Sequence, residues 1–218
     1  RLLGKEVQLF QRQLVELRPD GTVGTINLLD PEFLPYTHIN GAVFPGPDPV
    51  LTKQAPAPGQ KEYASRILQF VTRQAPDVWE GLPVRFGQTF HSTVSLTDAY
   101  PDGKGRPELL PGLNLELWGI PTSQPTPDPN NHNFIYQRFQ RGIMHYDRTT
   151  GETQGLLLAE YFKAILTGQN LPPDLAAQAQ GSRFLRQYAP DRPGWLARPS
   201  ELPDTDLTRA FKREAAFR

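Results

Sequence analysis

Gln8-Leu9-Phe10-Gln11-Arg12 and Gln137-Arg138-Phe139-Gln140-Arg141 decide the fold, because the second repeats the first at four of five positions. Around the first stretch, Val7, Leu9, Gln11, Gln13, Val15 and Leu17 fall on one side of an extended chain, and Gln8, Phe10, Arg12, Leu14 and Glu16 on the other. A period of two is the strand signature. Arg18-Pro19-Asp20-Gly21 then supplies a turn and Thr22 to Leu29 a returning run, which together predict a β-hairpin. Around the second stretch, Phe134 to Tyr146 predicts a strand pair or one long strand, broken at Gly142, and Thr149-Thr150-Gly151 turns the chain again. Both copies run on to a polar residue (Glu16, His145), an apolar one (Leu17, Tyr146) and a polar turn. The alternation predicts that Phe10 and Phe139 face a core. Their Gln and Arg neighbours lie opposite, where amide and guanidinium groups can bond loops or acidic partners. Two copies are fewer than the three or more that a stacked array needs.

Outward from these stretches, proline sets the pattern. Seven prolines between Asp30 and Gly59 predict an extended wrap without a regular helix, anchored by Phe33, Tyr36, Ile39, Val43 and Phe44. Gln60 to Ala75 predicts a helix, with Tyr63, Ile67, Leu68, Phe70 and Val71 as its apolar stripe and Pro76 as its stop. Residues 81–86, 89–96 and 113–119 read as strand material; in the last, Leu113, Leu115 and Leu117 alternate with Asn114, Glu116 and Trp118. Residues 101–111 and 121–133 read as loops. Helices are expected over 156–167, ended by Gly168, over 174–188 behind Pro172-Pro173, and over 206–217, capped by Thr205 or Asp206, with a second Pro-rich wrap at 190–203. The expected class is α+β, with small antiparallel strands, about four helices and long proline-rich surface wraps. Four stretches are marked: a partial N-terminal β-module at 1–30, a Pro-rich wrap with helix and strands at 31–108, a second module at 109–168 and a C-terminal helical wrap at 169–218, expected to form one compact unit.

Composition excludes several function classes. The chain has 218 residues with 23 basic and 23 acidic side chains, so it lacks the basic excess of a general nucleic-acid binder. It has no cysteine, which removes disulfides, thiolate zinc sites and cysteine catalysis. No apolar run approaches the roughly 18–20 residues of a membrane span. Arginine outnumbers lysine 17 to 6, and there are 23 prolines and one methionine, a balance that suits a thermophilic or oxidising setting and equally a GC-rich genome. The chain opens on Arg1-Leu2-Leu3-Gly4 and reads as a piece of a longer protein.

Trp118-Gly119-Ile120-Pro121-Thr122-Ser123 stands some 15 residues before the second Phe-centred stretch, and Gly142-Ile143-Met144-His145-Tyr146-Asp147 and Gly155-Leu156-Leu157-Leu158 follow it. In this order the residues resemble the Gln-x-Phe-(Glu/Gln)-Arg modules of secreted and envelope proteins of Chloroflexota-type bacteria, themselves distantly similar to LGFP-type repeats. The resemblance covers residues 4–21 and 113–168, and the first copy lacks the Gly-x-Pro portion, which would lie before Arg1. It implies an extracellular or cell-surface setting, with cell-envelope glycan or other surface protein subunits as partners, and brings no catalytic residues.

Candidate chemistry is sparse. His38, His91, His132 and His145 stand in no zinc spacing. Glu116, Asp128 and Asp147 are the carboxylates that a glycan or peptidoglycan hydrolase could pair, although a structural ion pair of Glu116 with Arg138 or Arg141 is the plainer reading. Asp128, Asn130 and His132 cluster oxygen ligands that could take Ca2+, without the Gly and Glu of an EF-hand loop; an Asx-turn closing a hairpin is the default. Trp118, Tyr136 and Tyr146 could stack on a sugar ring, with Arg138 and Arg141 at its rim. No Gly-x-Ser-x-Gly, Gly-x-Gly-x-x-Gly or Walker pattern occurs. The expectation is a non-catalytic, cofactor-free module of a secreted or cell-surface protein, with the paired-carboxylate hydrolase as alternative.

Overall fold

The computed structural model describes residues 1–34, 36–188 and 200–207. In chain order the strands are β1 (Glu6–Leu9), β2 (Leu14–Leu17), β3 (Val23–Ile26), β4 (His38–Ile39), β5 (Ala42–Val43), β6 (Thr126–Pro127), β7 (Phe134–Arg138), β8 (Ile143–Asp147) and β9 (Glu152–Gly155). The helices are α1 (Pro49–Lys53), α2 (Tyr63–Gln74), α3 (Phe86–Ser92), α4 (Leu96–Ala99), α5 (Leu110–Trp118), α6 (Leu158–Thr167) and α7 (Pro173–Gln178). The class is α+β with small antiparallel sheets. By contacts the chain forms two compact units, residues 1–40 with 157–218 and residues 41–156. Of the four marked stretches, 1–30 and 169–218 fall in the first unit, and 31–108 and 109–168 are each divided between the two.

The first unit carries the antiparallel meander β1-β2-β3. The alternating run 7–17 is two strands rather than one, because the chain reverses at Phe10–Gln13, where the Phe10 N–H donates to the Gln13 carbonyl at 2.9 Å. The Asp-Gly turn expected next is present: Gly21 takes φ +80°, and Arg18 N–H donates to the Thr22 carbonyl at 2.8 Å. Helix α6 buries Leu158, Phe162, Ile165 and Leu166 and ends at Gly168, as the sequence predicted. Phe33, Phe162 and Phe184 cluster within 5.2–5.8 Å of one another. Residues 204–206 close back on the N-terminus, with Gly4 N–H donating to the Asp204 carbonyl at 2.9 Å. Helix α7 stops at Gln178, ten residues short of expectation, and residues 181–186 are turns, with Gly181 at φ +81°. The expected helix 206–217 lies almost wholly, and the wrap 190–203 mostly, outside the described residues.

The second unit carries the four-stranded sheet β6-β7-β8-β9 under helices. Its core joins Val71 and Ala75 with Phe86, Phe90, Trp118, Ile135, Phe139, Met144 and Tyr146. Three expectations fail here. Residues 86–92 form α3 and not a strand: Phe86 and Phe90 stand one helical turn apart and are both buried, while Asp77 Oδ1 accepts from Gln88 N–H at 2.7 Å near the helix start. Residues 113–118 are also helical. The alternating leucines hide a second spacing, Asn114 and Trp118 at i, i+4, and it is this pair that α5 buries. Finally, the Pro-rich wrap contains α1, because Pro49 sits in its first turn and Asp48 Oδ1 caps Val50 N–H at 2.7 Å.

Candidate functional site

The repeated stretches occupy the same place in two sheets. An offset of 129 residues carries Leu9↔Leu14 onto Arg138↔Ile143, and Glu6↔Leu17 onto Ile135↔Tyr146. Phe139 N–H donates to the Gly142 carbonyl at 2.8 Å, as Phe10 N–H does to Gln13. The next turns each carry an Asp-to-Thr bond, although the 129-residue offset does not superpose the two aspartates. Asp20 Oδ1 accepts from the backbone and hydroxyl of Thr22 at 2.9 and 2.6 Å, and Asp147 Oδ1 from those of Thr149 at 2.8 and 2.6 Å. These hydroxyl bonds hold both aspartates below the ordinary carboxylate value. The turn that follows in the second copy is one residue longer, so Val15↔Thr25 corresponds to Met144↔Gly155.

In the second unit this meander is sealed. Trp118, 6% exposed, donates Nε1–H to Thr93 Oγ1 at 2.8 Å and lies 5.6 Å from the Phe139 ring. Its indole covers Gly142 and Gly155, where a Cβ would stand 2.6 and 2.5 Å from the ring. The segment after it runs along the outer edge of β7. Ile120 accepts from Gln140 N–H at 2.8 Å, Thr122 donates to the Arg138 carbonyl at 2.8 Å, and Thr126 and Pro127 pair with Tyr136 and Ile135. Proline suits this position because an edge strand has an outward side that needs no donor.

The polar residues of the second copy hold neighbouring backbone. Gln137, fully buried, donates Nε2–H to the carbonyls of Gln74 and Ser123 at 2.5 and 3.1 Å. Arg141 Nη1 donates to the carbonyls of Leu115 and Glu116 at 3.4 and 3.0 Å, a cation at the C-terminus of α5. Arg138 is buried, and burial lowers the pKa of its guanidinium.

The sequence-derived candidates are placed as follows. Glu116 lies 3.9 Å from Arg141 Nη2, the structural ion pair expected. Asp128 is fully buried and its Oδ1 accepts from Asn130 N–H at 2.9 Å and Val43 N–H at 3.4 Å, an Asx-turn, while Asp147 is engaged by Thr149 at a different turn. Asn130 turns its amide to the Gly41 carbonyl at 2.8 Å and His132 is exposed, so the three candidate calcium ligands do not converge. Among the described residues no group of three or more His, Asp or Glu could hold a metal ion. Trp118, Tyr136 and Tyr146 are 4–6% exposed, so the sugar-stacking face expected from them is closed; Tyr136 packs edge-on against Phe44 at 4.9 Å.

The first copy corrects the sequence reading most. Phe10 does not face a core: it is 57% exposed, with Leu17 and Val23 on the same face at 48% and 64%. The counterparts Phe139 and Tyr146 are buried. The signal available in the sequence was the pair Gly142 and Gly155, which make room for an indole; Gln13 and Thr25 stand in their places in the first copy. Compared with protein-family models, curated proteins and solved structures, the chain shows no significant match in any of the three.

Proposed function

We propose that the chain is a non-catalytic module of a secreted or cell-surface protein, serving envelope or glycan attachment or extracellular assembly. The observation that carries this reading is the open apolar face of the N-terminal meander, Phe10 with Leu17 and Val23. An exposed apolar patch on a sheet marks an interaction surface, and the equivalent face of the second unit is covered by helices. The arginine and glutamine groups of the second copy support the reading too, because they bind helix ends and loop carbonyls instead of lining a cleft. The resemblance to envelope modules agrees with this setting. Retention of the purified chain on peptidoglycan, cell-surface glycan and envelope protein fractions tests it. Retention on one of them, weakened by Phe10→Ser with Val23→Ser, is expected; no retention on any would overturn the proposal.

A further inference from the structure

In the second unit the outer edge of β7 is occupied from Arg138 to Ile135 by the extended segment 120–127, which carries Pro121, Pro125 and Pro127. Among the described residues strand β1 is the outer strand of its sheet, with β2 as its neighbour. In an antiparallel ladder the residues alternate between facing the partner strand and facing outward. Phe10 and Gln13 form the bonded pair, so Leu9 and Gln11 face outward, as their counterparts Arg138 and Gln140 do. Arg138 and Gln140 bond Thr122 and Ile120 there. Among the described residues the N–H and C=O of Leu9 and the N–H of Gln11 meet no partner, while the Gln11 carbonyl accepts from Glu160 N–H at 3.2 Å.

That last bond places the end of this edge beside a groove of about 550 Å³ along α6, where Leu157, Tyr161 and Ala164 form an apolar part of a wall that is otherwise polar, with Gln11, Glu160 and Lys163 among its residues. A segment paired with β1 as 120–127 pairs with β7 runs antiparallel to it. Its N-terminal end therefore comes to lie at Gln11, where the groove begins. Gln13 and Thr25 deny it the seat that Gly142 and Gly155 give Trp118, so an apolar side chain before the strand has the groove as its place.

Resting on the assembly reading above, we infer that β1 is a docking edge for a partner's extended, proline-bearing segment. That segment adds as a fourth strand, bonds Leu9 and Gln11, and seats an apolar residue in the α6 groove. Edge addition of this kind takes its affinity from main-chain bonds and its specificity from alternate side chains.

The test uses the whole chain and a synthetic peptide copying Leu117–Asp128, followed by amide chemical shifts. Saturable binding with shifts at Val7, Leu9 and Gln11 is expected. N-methylation of the peptide at the Thr122 position, which removes one donor and leaves the protein untouched, should weaken binding about tenfold. Leu9→Pro should do the same from the protein side. Binding indifferent to N-methylation, shifts confined to residues 134–141, no binding at millimolar peptide, or self-association mapping to β1 in its place would each overturn the inference. Retention on envelope material without peptide binding removes this inference and leaves the attachment reading standing. Peptide binding without retention does the reverse.

Discussion

Phe139 and Phe10 hold the same place in two meanders of the same strand register, yet one is sealed between Trp118 and Phe90 and the other stands in solvent. The strands pair in the same register, and each meander carries an Asp-to-Thr bond in its second turn. What differs is the cover, which comes from elsewhere in the chain: α3, α5 and the Gly119–Pro127 segment in the second unit. A strand's own alternation sets which side chains share a face. It does not say whether anything lies on that face.

The largest effect expected from this difference is at the two phenylalanines. Phe139→Ala should cost about 3–5 kcal/mol, the loss of a buried ring plus the cavity it leaves. Phe10→Ala should stay within about 0.5 kcal/mol. Denaturant unfolding combined with amide exchange in β7 and β8 reads both, and equal costs would break the comparison.

Next come the glycines under the indole. Gly142→Ala and Gly155→Ala each drive a methyl to within 2.6 Å of Trp118, and overpacking of this kind costs about 1–3 kcal/mol. In a Trp118→Ala background that cost should largely vanish, so a double-mutant cycle in thermal melts isolates the contact. Gln137→Ala strips the buried Ser123 carbonyl and the half-buried Gln74 carbonyl of their donor and should cost about 1–3 kcal/mol, whereas Gln8→Ala, its exposed counterpart, should be close to neutral.

These contrasts also show what was legible in the sequence. The turn at Asp20-Gly21, the break at Gly142, helix α2 and the Gly168 stop follow from local chemistry, and each is present. Helices α3 and α5 were hidden because Leu113, Leu115 and Leu117 imitate a strand, and the deciding pairs Phe86/Phe90 and Asn114/Trp118 gain meaning only once both faces are weighed. Strand β9, four residues with little apolar character, carries no periodicity of its own and forms because β8 offers it an edge. At the candidate site charge pointed to an ion pair of Glu116 with Arg138 or Arg141, and the structure has it with Arg141. The burial of Trp118, Tyr136 and Tyr146 was not readable, because it depends on what the rest of the chain lays over them.

The smallest effect probes what the meanders share. The hydroxyls of Thr22 and Thr149 hold Asp20 and Asp147 below the ordinary aspartate value. A carboxyl depressed in the folded chain binds its proton more weakly there than in the unfolded chain. Its contribution is therefore present above the ordinary aspartate pKa and is lost as pH falls through the folded one. Both carboxyls are exposed, so the effect belongs to the titration curve rather than to global stability. Carbon-detected titration of the side chains should place both midpoints below that of a model peptide. Thr22→Val and Thr149→Val should each raise the midpoint of their own aspartate and leave the other where it was. A midpoint unmoved by its own substitution would mean that the hydroxyl bond is not what tunes that aspartate.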